Sequence, residues 1–164
     1  LQPGPGVGGH CIPVDPWFLV GDFPETARLT RMALETNASM PEYVLRRAFD
    51  VMQEKGIEDV SHVGVYGLTY KEDVDDVRES PTLQMLESME RHLCGSPLRV
   101  YDPWIERDVV PNQVHSMEDF LDGLDIVIVM VGHSEVRGRP AAFHGRVLVD
   151  PRDVMGDGED VYKL

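Results

Sequence analysis

At 164 residues and 42% apolar content, the chain is long enough to bury a sizeable core, as one domain or one domain with an appendage. A formal net charge of -14, from 29 acidic against 15 basic residues, argues against nucleic acid or an anionic membrane as partner, because long-range repulsion opposes encounter. No run of about 18 apolar residues exists, the longest being Ile126 to Val131, so no spanning helix is expected.

The basic residues are lopsided, twelve Arg against Lys55, Lys71 and Lys163, and Asp is abundant, a composition that resembles proteins adapted to high salt. Two cysteines, Cys11 and Cys94, lie far apart and give neither a disulfide framework nor metal-ligand spacing, which fits a reduced, cytoplasmic setting. No secretory leader is visible, although Leu1 is not a natural start.

The first 16 residues, LQPGPGVGGHCIPVDP, hold four Gly and four Pro, so neither helix nor ladder strand runs through them and a shaped loop is expected. Trp17 to Val20 begins an apolar stretch that Gly21 and Pro24 interrupt. Glu25 to Glu35 carries Ala27, Thr30, Ala33 and Leu34 on one side, the spacing of a helix. Asn37 to Pro41 reads as a kink or a fresh start with Ser39 as N-cap, after which helical spacing runs to a stop at Lys55-Gly56. So long a helix, with so little around it, is expected to pack on another domain, a second subunit, or both.

From His62 the pattern changes. HVGVYGL is a short β-branched run, followed by the acidic loop TYKEDVDDVRES and a helix opened by Ser80 as N-cap and Pro81 at its first position. Further strands are expected at Leu98 to Tyr101, ended by Asp102-Pro103, at Asp125 to Val131, at Arg146 to Val149, and at the edge in Val161 to Leu164. A short capped helix is expected at Ser116 to Leu121. Continuous apolar strands alternating with helices predict an α/β fold: a doubly wound, mostly parallel, Rossmann-like sheet preceded by a loop and a long helix. Three segments follow: a loop at 1–16, a helical segment at 17–56, and an α/β domain at 57–164.

Gly4, Gly6 and Gly9 satisfy G-x-G-x-x-G, but no strand precedes them and His10-Cys11-Ile12-Pro13 follows instead of a helix, so the dinucleotide context fails. These glycines instead suit close approach of backbone N–H groups to an anionic or sugar ligand, or a plain linker, against which the density of Pro speaks. In that loop Cys11 is a reactive thiol or an inert one, Asp15 a base or a turn residue before Pro16, and His10 a ring over a ligand or a loop contact. Lys71 and Arg78 are ligand contacts or partners of the surrounding Glu72, Asp73, Asp75, Asp76 and Glu79. Asp75-Asp76 looks like a divalent-metal pair without a third ligand at useful spacing, so no metal site is assigned. His92, His115, His133 and His144 read as surface or packing residues.

Two strings carry a resemblance. Pro3-Gly4-Pro5-Gly6-Val7-Gly8-Gly9-His10-Cys11-Ile12-Pro13-Val14-Asp15-Pro16-Trp17-Phe18 resembles the active-site signature of the UDP-glucose/GDP-mannose dehydrogenase family. Gly67-Leu68-Thr69-Tyr70-Lys71, with Asp75-Asp76 and Arg78-Glu79-Ser80-Pro81, resembles that family's second signature. Two long motifs in the right order, separated by the expected helix, are more specific than either alone. The resemblance implies the C-terminal half to two-fifths of a family member, with the NAD-binding domain outside this stretch.

What the resemblance implies falls on particular residues. Cys11 is the nucleophile of a four-electron oxidation, and Asp15 positions or activates the water that releases the acid. Gly6, Gly8, Gly9, His10, Tyr70 and Lys71 contact the UDP-sugar, and Arg78 reaches the pyrophosphate of NAD with a guanidinium fork. A homodimer through the helical segment is implied. Around Val14-Asp15-Pro16-Trp17-Phe18-Leu19-Val20 the sequence is most similar to the UDP-N-acetylmannosamine branch. Val14 stands where UDP-glucose enzymes carry lysine; UDP-N-acetylglucosamine and GDP-mannose remain open. The other readings are a non-catalytic sugar-nucleotide-binding or assembly module, and a small Rossmann-type domain acting alone, for which Gly64 to Gly67 is a weak fingerprint.

Overall fold

The computed structural model describes residues 3–92 and 98–164; Cys94 lies outside the described residues, as does the side chain of His92. Six strands build one sheet: β1 (Val63–Tyr66), β2 (Arg99–Tyr101), β3 (Gln113–Val114), β4 (Ile126–Val129), β5 (Val147–Val149) and β6 (Val161–Tyr162). All pairings are parallel, in the order β3-β2-β1-β4-β5-β6, with Val65 opposite both Val100 and Ile128. The expected doubly wound parallel sheet is therefore the observed one. Its strand order reverses between β1 and β4, which leaves a crevice at their carboxyl ends.

Alternation along the strands splits the core. Val63, Val65, Ile126 and Ile128 face two long helices, α2 (Arg28–Lys55) and α3 (Pro81–His92), through Val44, Ala48, Val51 and Met85. Tyr66, Val127 and Val129 face the other layer, built from α4 (Met117–Leu121), α5 (Ser134–Gly138) and a 3-10 turn at Pro140–Phe143, through Phe120, Val136 and Phe143. β1 and β4 are buried at every position, which is why they read as uninterrupted apolar runs.

Three helix boundaries follow the side chains expected to set them. Ser80 Oγ accepts the Thr82 N–H at 3.2 Å ahead of Pro81, Ser116 Oγ accepts the Asp119 N–H at 3.1 Å, and Gly56 ends α2 in the left-handed conformation at φ 68°. Two further elements were not anticipated. The apolar stretch after Asp15 is a helix, α1 (Asp15–Asp22), that accommodates Gly21 and buries only Val20; β3 is two half-buried residues with no apolar run to announce it.

The break expected at Asn37 to Pro41 does not occur. α2 is one helix of 28 residues with Pro41 inside it, and Ser39 does not cap: its hydroxyl donates to the Thr36 carbonyl at 2.8 Å. Proline at 41 leaves the Asn37 carbonyl without its helical donor. That carbonyl faces the N-terminal loop, 3.5 Å from where a Cβ on Gly6 would sit. Pro41 is buried, so packing against the domain holds the helix through a residue that would interrupt it in isolation. The helix also does more for its own domain than its length suggested. Pro41, Val44, Leu45, Ala48, Val51 and Met52 are buried, whereas the half before Pro41 buries none of its residues.

Candidate active site

The Gly/Pro loop ahead of α1 is held at three points. Val7 donates its N–H to Asn37 Oδ1 at 2.7 Å and receives Asn37 Nδ2 on its carbonyl at 3.0 Å, so a mid-helix asparagine clamps the loop. Gly9 donates its N–H to the Arg78 carbonyl at 3.0 Å. Gly8 is buried against the second signature: a Cβ there would overlap the Glu79 carbonyl oxygen and come within 2.8 Å of Tyr70 Cβ. Gly9 adopts φ +99° with the Tyr70 ring 3.0 Å from the same construction, so two side-chain-free positions let the loops meet backbone to backbone. The close approach that these glycines permit is thus made, in this chain, to its own second signature.

Beyond that contact the chain turns outward. Cys11 is exposed, with Sγ 3.6 Å from His10 Nδ1. Its carbonyl accepts the N–H groups of Val14 at 3.2 Å and Asp15 at 2.9 Å, a turn that leads directly into α1 and leaves Asp15 one turn beyond the thiol. The Asp15 carboxylate is exposed and makes no hydrogen bond among the described residues.

The second signature occupies the crevice side of the sheet, between β1 and α3. Leu68 and Thr69 donate their N–H groups to Asp102 Oδ2 at 2.6 and 3.0 Å, and Tyr70 donates to the Asp76 carbonyl at 3.0 Å. Asp73 and Glu79 both adopt positive φ, 55° and 49°, a left-handed backbone that non-glycine residues enter only when their surroundings hold them there. For Asp73 the hold is explicit. Its carboxylate accepts from Ser134 N at 2.9 Å, Ser134 Oγ at 2.5 Å and Trp104 Nε1 at 3.3 Å, and its N–H donates to His133 Nδ1 at 2.9 Å. These bonds, led by Ser134, hold the Asp73 carboxyl below its usual range.

Arg78 donates Nε to both Asp76 oxygens at 3.0 Å and Nη2 to Oδ2 at 2.6 Å. This pairing depresses the Asp76 carboxyl and raises the guanidinium, in each case chiefly through the side-chain hydrogen bonds themselves. Lys71 differs: it is exposed, its backbone carbonyl accepts the Thr69 hydroxyl at 2.8 Å, and its amine forms no ion pair among the described residues. Of the acidic residues around them, Asp76 pairs with Arg78, and Glu72 pairs with Arg137 at 2.7 Å and Arg152 at 3.4 Å.

Cys11, His10, Gly8, Gly9, Tyr70 and Arg78 are therefore brought to one place, although nearly fifty positions separate the two strings. Gly6 lies against Pro81 at the start of α3, and Lys71 stands at the solvent edge of the second loop.

The matches to known proteins span the same two regions. Residues 64–162 match the UDP binding domain of the UDP-glucose/GDP-mannose dehydrogenase family, and residues 1–39 match its central domain. The chain belongs to this family. It is 40% identical over 158 residues to an NDP-N-acetyl-D-galactosaminuronic acid dehydrogenase of Ralstonia nicotianae, covering 93% of this chain and 36% of the relative. To a UDP-N-acetyl-D-mannosamine dehydrogenase of Methanocaldococcus jannaschii it is 36% identical, covering 100% of this chain and 40% of the relative. Among solved structures, a UDP-D-ManNAc dehydrogenase from Pyrococcus horikoshii superposes with a TM-score of 0.83 at 27% identity, over 99% of this chain and 40% of that one. A UDP-N-acetyl-mannosamine dehydrogenase from S. aureus does so with 0.78 at 36% identity, over 99% and 39%. The chain thus spans about two-fifths of the length of the relatives it matches.

Two features of this candidate site were not legible beforehand. Asn37 gave no sign of being the clamp of the cysteine loop, because a mid-helix asparagine has no pattern. His133, read as a surface or packing residue, is fully buried and ties the second signature to β2 and β4. Its position just past an apolar strand, at the carboxyl end where the sheet order reverses, was the available signal.

Proposed function

We propose that the chain is the C-terminal part of an NAD-dependent UDP-sugar 6-dehydrogenase that oxidises UDP-N-acetyl-D-mannosamine to the uronate in four electrons. The reading rests above all on the backbone contact between Gly8-Gly9 and Arg78-Glu79, which sets an exposed thiol beside the second signature of the family. Cys11 adds through sulfur to the C6 aldehyde of the sugar, giving a thiohemiacetal and, after oxidation, a thioester. Asp15, exposed one turn on, orients the water that hydrolyses the thioester. Gly6, Gly8, Gly9 and His10 shape the sugar end of the site, Tyr70 backs the glycines with its ring, and Lys71 offers an unpaired ammonium to the substrate phosphates.

NAD, when bound, takes up the hydrides. The donor set of this chain fits a partial contact to it: Asp76 occupies Nε and Nη2 of Arg78, while Nη1 makes no hydrogen bond among the described residues. Arg78 would hold a cofactor phosphate with that remaining edge. In the same reading 1–16 is the catalytic loop, 17–56 the dimerisation segment and 57–164 the nucleotide-sugar domain, in a cytoplasmic homodimer. The choice of sugar follows Val14 and the names of the relatives, some of which act on UDP-N-acetyl-D-mannosamine by their designation.

Assay of the protein, together with whatever sequence precedes this chain, against a panel of UDP- and GDP-sugars is the test. UDP-N-acetylmannosamine should be oxidised in preference to UDP-glucose, and Cys11→Ala should abolish net acid formation, a loss of about 10³-fold or more in kcat. Acid formation retained by that variant would refute the nucleophile.

A further inference from the structure

We propose that His10 is the general base for Cys11: its Nδ1 takes the thiol proton as sulfur attacks, and the Asp76–Arg78 pair flanks the two residues with complementary charge. The inference rests on the reading of Cys11 as nucleophile given above.

Three observations carry it. Cys11 Sγ lies 3.6 Å from His10 Nδ1, within reach of a sulfur hydrogen bond, which in the proposed step the thiol donates and the ring accepts. For Nδ1 to accept, the neutral ring must carry its proton on Nε2, which is free to exchange with solvent or meet the sugar. Second, the Gly9 N–H to Arg78 carbonyl bond fixes the residue next to His10 against the residue that bears the guanidinium. Third, charged groups lie beside both residues. The Asp76 carboxyl, depressed first by Arg78, is depressed further by His10, and the Arg78 guanidinium, raised first by Asp76, is raised further by Cys11 and Tyr70. Asp76 and Arg78 are thus charged neighbours of the His10-Cys11 step. Tyr70, Asp76 and Arg78 are the ionisable groups of the second signature set against the pair, and Asp15 lies one turn beyond the thiol.

The step balances within the site. The S–H bond breaks as the S–C bond forms; the proton passes to Nδ1 and the carbonyl π pair moves to oxygen. The imidazolium then returns the proton to the new alkoxide, so the thiohemiacetal forms without net charge and His10 ends as it began. Positioning alone would not need a ring nitrogen here. Asparagine at 10 keeps a polar loop residue of similar reach but cannot take a proton.

Iodoacetamide probes the same sulfur without sugar or cofactor: S–C forms, iodide leaves, and the proton goes to His10 and on to solvent. Alkylation of the 164-residue chain is followed across pH 5.5 to about 10, with Cys11 and Cys94 resolved by peptide mass spectrometry. Near pH 7, Cys11 in His10→Asn should react about tenfold more slowly than in the unaltered chain, with the two rates converging at the alkaline end of the range, where hydroxide serves as the base. Arg78→Gln should lower the rate while keeping the shape of the profile, because it removes charge stabilisation but not the proton acceptor. Circular dichroism and an unchanged Cys94 rate exclude unfolding as the cause. A His10→Asn profile that superposes on that of the unaltered chain overturns the proposal. Because this outcome leaves the Cys11→Ala result untouched, failure of the base and failure of the nucleophile are distinguishable.

Discussion

Asp102 ends β2 as a buried carboxylate that accepts the N–H groups of Leu68, Thr69 and Trp104 and faces His133 Nε2 at 3.2 Å. Because His133 Nδ1 accepts from the Asp73 N–H, the pattern assigns the Nε2–H tautomer, with that proton pointing at Asp102 and Thr69 Oγ1. Burial pushes the Asp102 carboxyl up, but the His133 interaction and the backbone N–H groups outweigh it and leave the group below its usual range. A depressed carboxylate contributes stability that is present above its unfolded value, near 3.9, and lost as pH falls through the folded one. The urea midpoint should therefore hold from pH 7 to about pH 4 and fall below it. His133→Phe keeps the volume but orphans the Asp73 N–H and weakens the hold on Asp102; it should cost about 2–4 kcal/mol at pH 7 and move the acid limb to higher pH. Equal stability of the variant at pH 7 would show that the ring only fills space.

At the scale of elements, the uncovered surface is concentrated on α1 and the first half of α2. Phe18 is 70% exposed, Leu29 80% and Met32 64%, with Trp17, Leu19 and Phe23 beside them, a contiguous exposed apolar face of the kind that marks an interaction surface. The proposed homodimer would bury this face. Sedimentation should find a dimer at micromolar concentration, and Phe18→Asp with Leu29→Asp should yield a folded monomer with unchanged circular dichroism, because both side chains are largely free of contacts within the chain. A dimer that survives both changes would place the interface elsewhere. The same elements show where sequence patterns stop. Local signals set the caps at Ser80, Ser116 and Gly56, because a cap is decided by neighbours along the chain. Continuity of α2 through Pro41 was not local. It depends on packing of Val44, Ala48 and Val51 against the domain and on Asn37, whose carbonyl loses its helical donor while its side chain clamps the loop.

For the whole molecule, a formal charge of -14 on 164 residues implies self-repulsion that the fold must bear. Ion pairs offset part of it: Lys163 holds Asp153 and Asp157, Lys55 holds Asp160, and Arg152 and Arg137 share Glu72, but all lie at or near the surface. Salt screens repulsion between exposed charges over a Debye length of about 10 Å at 0.1 M and ~3 Å at 1 M. The melting temperature should rise between low and molar salt, by ~2–4 °C for each kcal/mol gained in a domain of this size. A flat or falling curve would remove the reading of this acidic surface as an adaptation to high salt.

The sequence by itself determined the parallel α/β sheet, because strands buried on both faces must be continuously apolar, as Val63 to Tyr66 and Ile126 to Val129 are. It also determined the two signatures, since loops that need glycine and proline at fixed places keep them visible as strings. Tertiary structure alone decided how those strings meet. Gly8 and Gly9 lie against Tyr70 and Glu79 across a helix and a strand, held by Asn37 from α2 and supported from below by His133 and Asp102 at the ends of β4 and β2. Those contacts join positions far apart along the chain through a few hydrogen bonds and one ring. Each depends on the packed sheet beneath it, and no periodicity or spacing in the sequence encodes a partner reached only after folding.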